Sequence, residues 1–377
     1  MVRIGRLVVA AATCAAAGIA VHTAANLALL RRPRPDAPDV TEAVDVLIPA
    51  RNERDHIERT VRSALAQQGV SQLRVTVLDD DSDDDTASII ESITDERLHL
   101  IRGTDGPPSH WLGKPWACMR LGTGASGSVL VFVDADVVLA PFAVRALVEL
   151  MRGHDLDMAA PYPAQRSHSP LARLVQPLVT WSWAALLPLR WAEGSSRPSL
   201  SAANGQVLAM DAAAYREVGG HEAVHDEVIE DVALMRAFKV HGFRCATVDG
   251  SSLAECTMYS TDRELVDGYA KSLWNAFGGA AGSVAVGSLL GFTYLVPPIA
   301  MAMAPTRGTR MVGAIGYMAG VASRALVARR VGERVTPDAW LQPASITAFL
   351  ALNLISWSRH RRGANTWKGR PVVAWHA

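Results

Sequence analysis

The sequence predicts an α/β domain, a mostly parallel sheet flanked by helices, with transmembrane helices at both ends of the chain. Three observations predict it. From Val44 to about Pro161, short apolar runs alternate with helical segments, the pattern of strands joined by crossover helices. Residues 7–30 carry no Asp, Glu, Lys or Arg, a stretch long enough to cross a bilayer as a helix. Carboxylates cluster where the apolar runs end, and ligands of open α/β sheets sit beyond the carboxyl ends of strands.

The chain has 377 residues, with 37 Lys and Arg against 37 Asp and Glu. Zero net charge gives no reason to expect a nucleic-acid partner. Cys14, Cys118, Cys245 and Cys256 form no CxxC pair, so neither a disulfide framework nor a zinc site is expected and a reducing compartment is the simpler reading. A cleavable signal peptide competes for residues 7–30, with Arg3 and Arg6 as its basic start. An uncleaved anchor is preferred because the apolar stretch is long and Arg31, Arg32 and Arg34 follow it. Those arginines outnumber the two before it, which puts residue 31 onward in the cytoplasm. Pro33, Pro35 and Pro38 make a stiff linker.

The central run is Val129-Leu130-Val131-Phe132-Val133-Asp134-Ala135-Asp136. Five apolar residues read as a buried strand, and a strand's period of two points Asp134 and Asp136 the same way. Two hard carboxylates at that spacing suit Mg²⁺ or Mn²⁺ that also holds substrate phosphates; a strand-ending pair that caps the next turn is the alternative. Upstream, the strand Val44–Ile48 runs into the loop Pro49-Ala50-Arg51-Asn52-Glu53, and residues 55–67 read as an amphipathic helix. The strand Leu73–Leu78 ends in Asp79-Asp80-Asp81-Ser82-Asp83-Asp84-Asp85-Thr86, either a solvated helix cap or a cluster needing a cation or donors to offset its repulsion. Residues 98–101 suggest a third strand, and Lys114, in a glycine-containing loop before a helix to about Leu121, could neutralise phosphate.

Past Asp136, a helix is expected over 141–151 and a strand over 158–161. Residues 170–191, with Trp181, Trp183 and Trp191 and broken by Pro177 and Pro188, are expected to lie along the membrane interface, with a buried core helix as the alternative. Asn204-Gly205-Gln206 begins a turn into a strand, and a helix over 211–218 ends at Gly219-Gly220. Glu230 and Asp231 open a helix, as N-terminal caps or as a general base for an acceptor hydroxyl. Three further span candidates cover 278–304, 311–328 and 341–357, the second interrupted by Arg324. Simple alternation through them conflicts with the arginines at 329, 330 and 334 and the basic tail from Arg359. Either one segment is re-entrant, with Pro297-Pro298 marking a candidate, or the positive-inside rule fails here. The expected domains are an anchor over 1–35, a cytoplasmic catalytic domain over 36–277, membrane segments over 278–358 and a basic tail over 359–377. No GxGxxG follows the first strand, which removes the main support for a dinucleotide-binding enzyme.

Taken in order, these stretches resemble the family 2 glycosyltransferases, inverting enzymes with the GT-A fold, over about residues 44–275. Ile48-Pro49-Ala50-Arg51-Asn52-Glu53 resembles the family's first nucleotide loop. Residues 79–86 are similar to its DDGSxDxT element, with Asp81 in place of the usual glycine. Gly113-Lys114 resembles its GK element, Asp134-Ala135-Asp136 its DxD, and Glu230-Asp231 its ED pair. The resemblance implies a UDP- or GDP-sugar donor held by Pro49, Ala50, Arg51, Glu53, Asp79, Asp80, Lys114 and Asp134. It further implies Mn²⁺ or Mg²⁺ on Asp136 and Asp134, and Asp231 as base beside Glu230. The QxxRW of the processive synthases is replaced by Ala270-Lys271-Ser272-Leu273-Trp274, which makes a polysaccharide synthase the weaker alternative. Gly113-Lys114-Pro115-Trp116-Ala117, Asn204-Gly205-Gln206, Gly219-Gly220-His221 and Thr366-Trp367-Lys368-Gly369-Arg370 resemble the membrane-bound subgroup acting on hopanoid, carotenoid or other isoprenoid-type lipids. That implies a multi-pass membrane enzyme with a lipid acceptor, and Asn204, Gly205, Gln206 and Trp274 on the acceptor side. A non-catalytic membrane scaffold with a degenerate transferase domain is the remaining alternative.

Overall fold

The computed structural model describes residues 2–167, 169–364, 366–367 and 370–371. Lys368 and Gly369 of the tail motif lie outside the described residues. In chain order the main elements are α1 (Val2–Leu29), β1 (Val40–Ala50), α2 (Ile57–Leu65), β2 (Val70–Asp80), α3 (Thr86–Glu91), β3 (Leu98–Gly103) and α4 (Gly113–Gly124). Then come β4 (Val129–Val133), β5 (Val137–Leu139), α5 (Ala143–Gly153), β6 (Met158–Gln165), α6 (Pro170–Val175), α7 (Pro177–Leu186) and α8 (Leu189–Glu193). They are followed by β7 (Val207–Asp211), α9 (Ala212–Glu217), α10 (Glu230–Val240), β8 (Cys245–Cys256), α11 (Asp262–Ser272), α12 (Ala280–Met303), α13 (Arg307–Arg330) and α14 (Gln342–Arg361).

The chain forms two compact units. One contains Leu30–Arg166 and Leu189–Met258 and is built on an eight-stranded mixed sheet of order β3-β2-β1-β4-β7-β6-β8-β5. β3, β2, β1 and β4 run parallel, and the apolar runs of β1 and β4 are buried on both faces, as such strands require. β7 then pairs antiparallel with β4 and β6, and β5 antiparallel with β8. One face of the sheet buries Val46, Ile48, Val75, Val131 and Val133 against α2 and α5. The other buries Leu47, Leu78, Leu130 and Phe132 against Leu121 of α4 and Leu234 and Phe238 of α10. Alternate residues of one strand thus go to opposite cores, which fixes the register and leaves the strand-end carboxylates no apolar alternative. The arginines after the first span are engaged here: Arg31 grips Glu193 at 2.6 Å and Arg32 stands 3.7 Å from Asp249.

The other unit contains Met1–Leu29, Ser167–Pro188 and Tyr259–Asn365. Four of its helical segments, Arg3–Leu29, Ala280–Met303, Arg307–Arg330 and Asp338–Arg361, are long and apolar enough to cross a membrane. α12 runs unbroken through Pro297 and Pro298, so the pair does not mark a re-entrant loop. The expectation of an interfacial segment over 170–191 also needs correction. Trp181 and Trp183 are buried, and Trp181 Nε1 donates to Ser323 Oγ at 2.8 Å; Trp191 is exposed. Asn26 donates to the carbonyls of Ala184 and Leu187, closing the C-terminal end of α7. α7 carries no charged residue, and it buries Trp181, Trp183, Ala184 and Ala185 while Val179 and Leu186 stay exposed.

Candidate active site

β4 ends at Val133, and the chain turns through Asp134-Ala135-Asp136 into β5. The turn is tight, with Val137 N donating to Asp134 O at 3.1 Å. It is held from two sides: Thr60 Oγ1 donates to the Ala135 carbonyl at 2.7 Å, and Asp134 N donates to the Gln206 carbonyl at 3.0 Å. Lys114, in the first turn of α4, places Nζ 2.7 Å from Asp134 Oδ1 and 3.0 Å from Glu230 Oε1. One ammonium therefore joins the end of β4 to the start of α10 and brings Asp134 and Glu230 to one point. Burial disfavours this ammonium, but Asp134 and Glu230 outweigh it and hold Lys114 well above its ordinary range.

Asp231 is fixed from the backbone. Gly205 N donates to Oδ2 at 2.6 Å and Val232 N to Oδ1 at 2.7 Å. Burial and the neighbouring Glu230 nevertheless push its carboxyl up to about 7, against the pull of Lys114 and these two amides. Gly205 is required by close approach: a Cβ there would stand 3.0 Å from Lys114 Nζ and 3.4 Å from Asp231 Oδ2. Asp136 is also raised to about 7, by burial and then by Asp134 and Glu53. A carboxylate crowded by two others in a desolvated site is stabilised by an arriving cation. Among the described residues no three His, Cys, Asp or Glu side chains are grouped to hold a metal by themselves.

The first two strand ends form the other wall. Arg51 donates to the carbonyls of Asp80 and Asp81, the latter at 2.8 Å, and Asn52 exchanges bonds with Ser82 Oγ and Asp83 N. Glu53 N donates to Thr86 Oγ1 at 2.8 Å. Asp81, in place of the family's glycine, has φ 58°, so the position keeps the left-handed conformation that glycine favours. Asp79 and Asp80 are buried at the end of β2. Asp79 Oδ1, Trp116 Nε1 and Arg120 Nη1 are buried with no hydrogen-bond partner among the described residues. Arg120 lies over the Trp116 ring, 5.8 Å from its centroid.

Every sequence-predicted residue but one belongs to the sheet unit. Trp274 belongs to the helical unit, where it is buried, stacks on His360 with centroids 3.6 Å apart and donates to the Lys271 carbonyl. Sequence reasoning missed Cys256 at the end of β8, which pairs across the strands with Val137, the residue after Asp136, and accepts from Gln206 Nε2 at 2.8 Å. No spacing signal marks a solitary cysteine.

With this geometry in view, residues 45–180 match the model of glycosyl transferase family 2. The 4,4'-diaponeurosporenoate glycosyltransferase of Staphylococcus aureus (strain MRSA252) is 26% identical over 339 residues, spanning 87% of this chain and 88% of that relative. The protein of the same name from Staphylococcus haemolyticus (strain JCSC1435) is 27% identical over 244 residues, 62% of each chain. A mannosyltransferase from Pyrobaculum calidifontis, solved with GDP-Man and Mn²⁺, has the same fold at TM-score 0.53 and 18% identity, over 93% of this chain and 99% of that one. The fold is GT-A, and the class of protein so defined is a glycosyltransferase. Within that class, the family 2 model covers residues 45–180 of this chain.

Proposed function

We propose that this protein is a membrane-bound glycosyltransferase that moves a sugar from a UDP- or GDP-sugar to an isoprenoid-type or polyprenyl lipid, with inversion, on the cytoplasmic side of the membrane. The observation that carries the reading is the Asp134–Lys114–Glu230 bridge, which sets a phosphate-suited cation and a proton-accepting carboxylate around one space. The nucleoside lies over the ends of β1 and β2, where Arg51, Glu53, Asp79 and Asp80 line the wall beside Pro49 and Ala50. Lys114 offers its ammonium to the diphosphate. Asp231, its carboxylate aimed by Gly205 N and Val232 N, accepts the proton of the lipid hydroxyl as that oxygen attacks the anomeric carbon from the face opposite the leaving group. A carboxyl raised to about 7 suits a base that works near neutrality.

Mg²⁺ or Mn²⁺ fits this donor set: Asp136, with Asp134 beside it, supplies one or two hard oxygens, and diphosphate oxygens complete the shell as such ions prefer. When bound, the ion offsets charge on the departing nucleoside diphosphate. The lipid acceptor is supported by the names of the two staphylococcal relatives and by the four span-length helices. Membranes incubated with radiolabelled UDP- and GDP-sugars, then extracted for lipid mass analysis, test the reading. A single sugar on one extractable lipid is expected; no labelled lipid from any donor overturns it.

A further inference from the structure

Resting on that reading of the cleft, we infer that the turn Asn204–Gln206 together with Cys256 is the positioning element that sets the metal-side and base-side carboxylates relative to each other. Three contacts leave this one turn. Gly205 N holds Asp231 Oδ2 at 2.6 Å, the Gln206 carbonyl accepts Asp134 N at 3.0 Å, and the Gln206 side chain reaches Cys256 Sγ at 2.8 Å. Cys256 in turn pairs across the strands with Val137, the residue after Asp136.

The direction of the last link follows from the network. Gln206 Oε1 accepts from Asn204 Nδ2 at 2.9 Å and from Gln165 Nε2 at 2.7 Å, so its amide is locked with Nε2 toward the sulfur. Sγ is therefore an acceptor on that side. A buried amide donating to sulfur, a weak acceptor, is a poor exchange unless the sulfur's orientation matters. The register agrees: Cys256 pairs with Val137, the residue after Asp136, and also with Gln165. Gln206 is 1% exposed and Cys256 is likewise buried. Gln206 and Cys256 are thus positioning residues rather than acceptor contacts.

The test uses the full chain in lipid nanodiscs, with Mn²⁺ as probe, GDP or UDP present, and electron paramagnetic resonance of free Mn²⁺ as readout. Cys256→Ala and Gln206→Ala should each weaken nucleotide-dependent Mn²⁺ binding by about 10–100-fold, the usual effect of removing a group that orients a metal ligand. Cys256→Ser keeps an acceptor for Gln206 and should recover most of the loss, and it carries the test if alanine at 256 fails to fold. The double alanine variant should bind no more weakly than the worse single one, because both act through one chain of contacts. Wild-type binding by both alanine variants, multiplied losses in the double variant, or no recovery with serine overturns the inference. So does a sulfur-to-metal charge-transfer band on adding Cd²⁺, which would make the thiolate a ligand. Asp136→Asn separates the levels. If it binds Mn²⁺ like the wild type, the metal assignment itself falls; if it alone loses binding, only the positioning role falls.

Discussion

The acidic loop at the end of β2 and the carboxylates beyond β4 and at the start of α10 use the same residue types to opposite effect. In the loop, Asp84 accepts from Thr86 N and Oγ1 and from Arg54 N, and these bonds outweigh its burial and hold its carboxyl below the ordinary range. In the cleft, Asp136 and Asp231 are pushed up to about 7 because burial and like charges outweigh the donors they receive. A carboxylate with its donors supplied is a structural cap, and one held short of counter-charge is poised to receive a cation or a proton. Number of acids at a strand end does not separate the two; donor supply does.

The contrast breaks most visibly at Asp231. Asp231→Asn should cut transfer by about two to four powers of ten, the usual worth of a general base, while calorimetry still shows donor binding. Near-normal turnover would remove Asp231 from the mechanism. A smaller loss is expected for Lys114→Met, which leaves Asp134 and Glu230 facing each other; GDP or UDP affinity measured by calorimetry should fall about 10–100-fold.

The pH profile sharpens the comparison. Asp231 must be ionised to accept a proton, so log kcat/KM should rise with pH and level off above about 7. Glu230→Gln removes a like charge and should move that limb down by on the order of one pH unit. A limb that stays in place would mean that Glu230 does not set the base.

Stability should separate the regions with opposite signs. Asp84 has a lowered carboxyl, so its contribution is present above the unfolded-state value and lost on acidification; Asp84→Ala should cost about 1 kcal/mol at pH 7 by denaturant unfolding. Asp136 has a raised carboxyl, so folding is favoured below the unfolded-state value and that advantage is lost as pH rises through about 7. Asp136→Asn, measured without divalent ions at pH 8, should therefore stabilise by about 1 kcal/mol while abolishing Mn²⁺ binding. The smallest effect is at Asp81, already at φ 58°: glycine there should change stability by no more than about 1 kcal/mol, read by the same unfolding curves.

β1, β2 and β4 were legible because each carries a largely buried apolar run, and the acids that follow them are legible for the same reason; β3 was legible from Leu98, Leu100 and Ile101 alone. β5 escaped because Val137–Leu139 is three residues long and follows Asp136 without a break. β8 escaped because Asp249-Gly250-Ser251-Ser252 and Glu255 interrupt its apolar pattern, although Gly250 is what lets Pro161 and Tyr162 of β6 lie against it. The Trp-rich segment misled because tryptophan favours both a headgroup zone and a buried core, and only the partners of Trp181 decide between them. Asn204, Gly205 and Gln206 were noticed, but backbone bonds such as Gly205 N to Asp231 are invisible to side-chain motifs.

Gly313 and Gly316 of α13 bring that helix so near Pro297 of α12 that a methyl group at either position would collide with it, and the same notch admits Thr13 of α1, which donates to the Val312 carbonyl. Thr23 meets Ser323 a few turns further along. Thr13 and Thr23 of the first helix therefore meet these partners only after the ribosome has made some three hundred more residues. Thr23 also donates to the Ile19 carbonyl of its own helix, and the closing of these helices on one another is a late event in the synthesis of the chain.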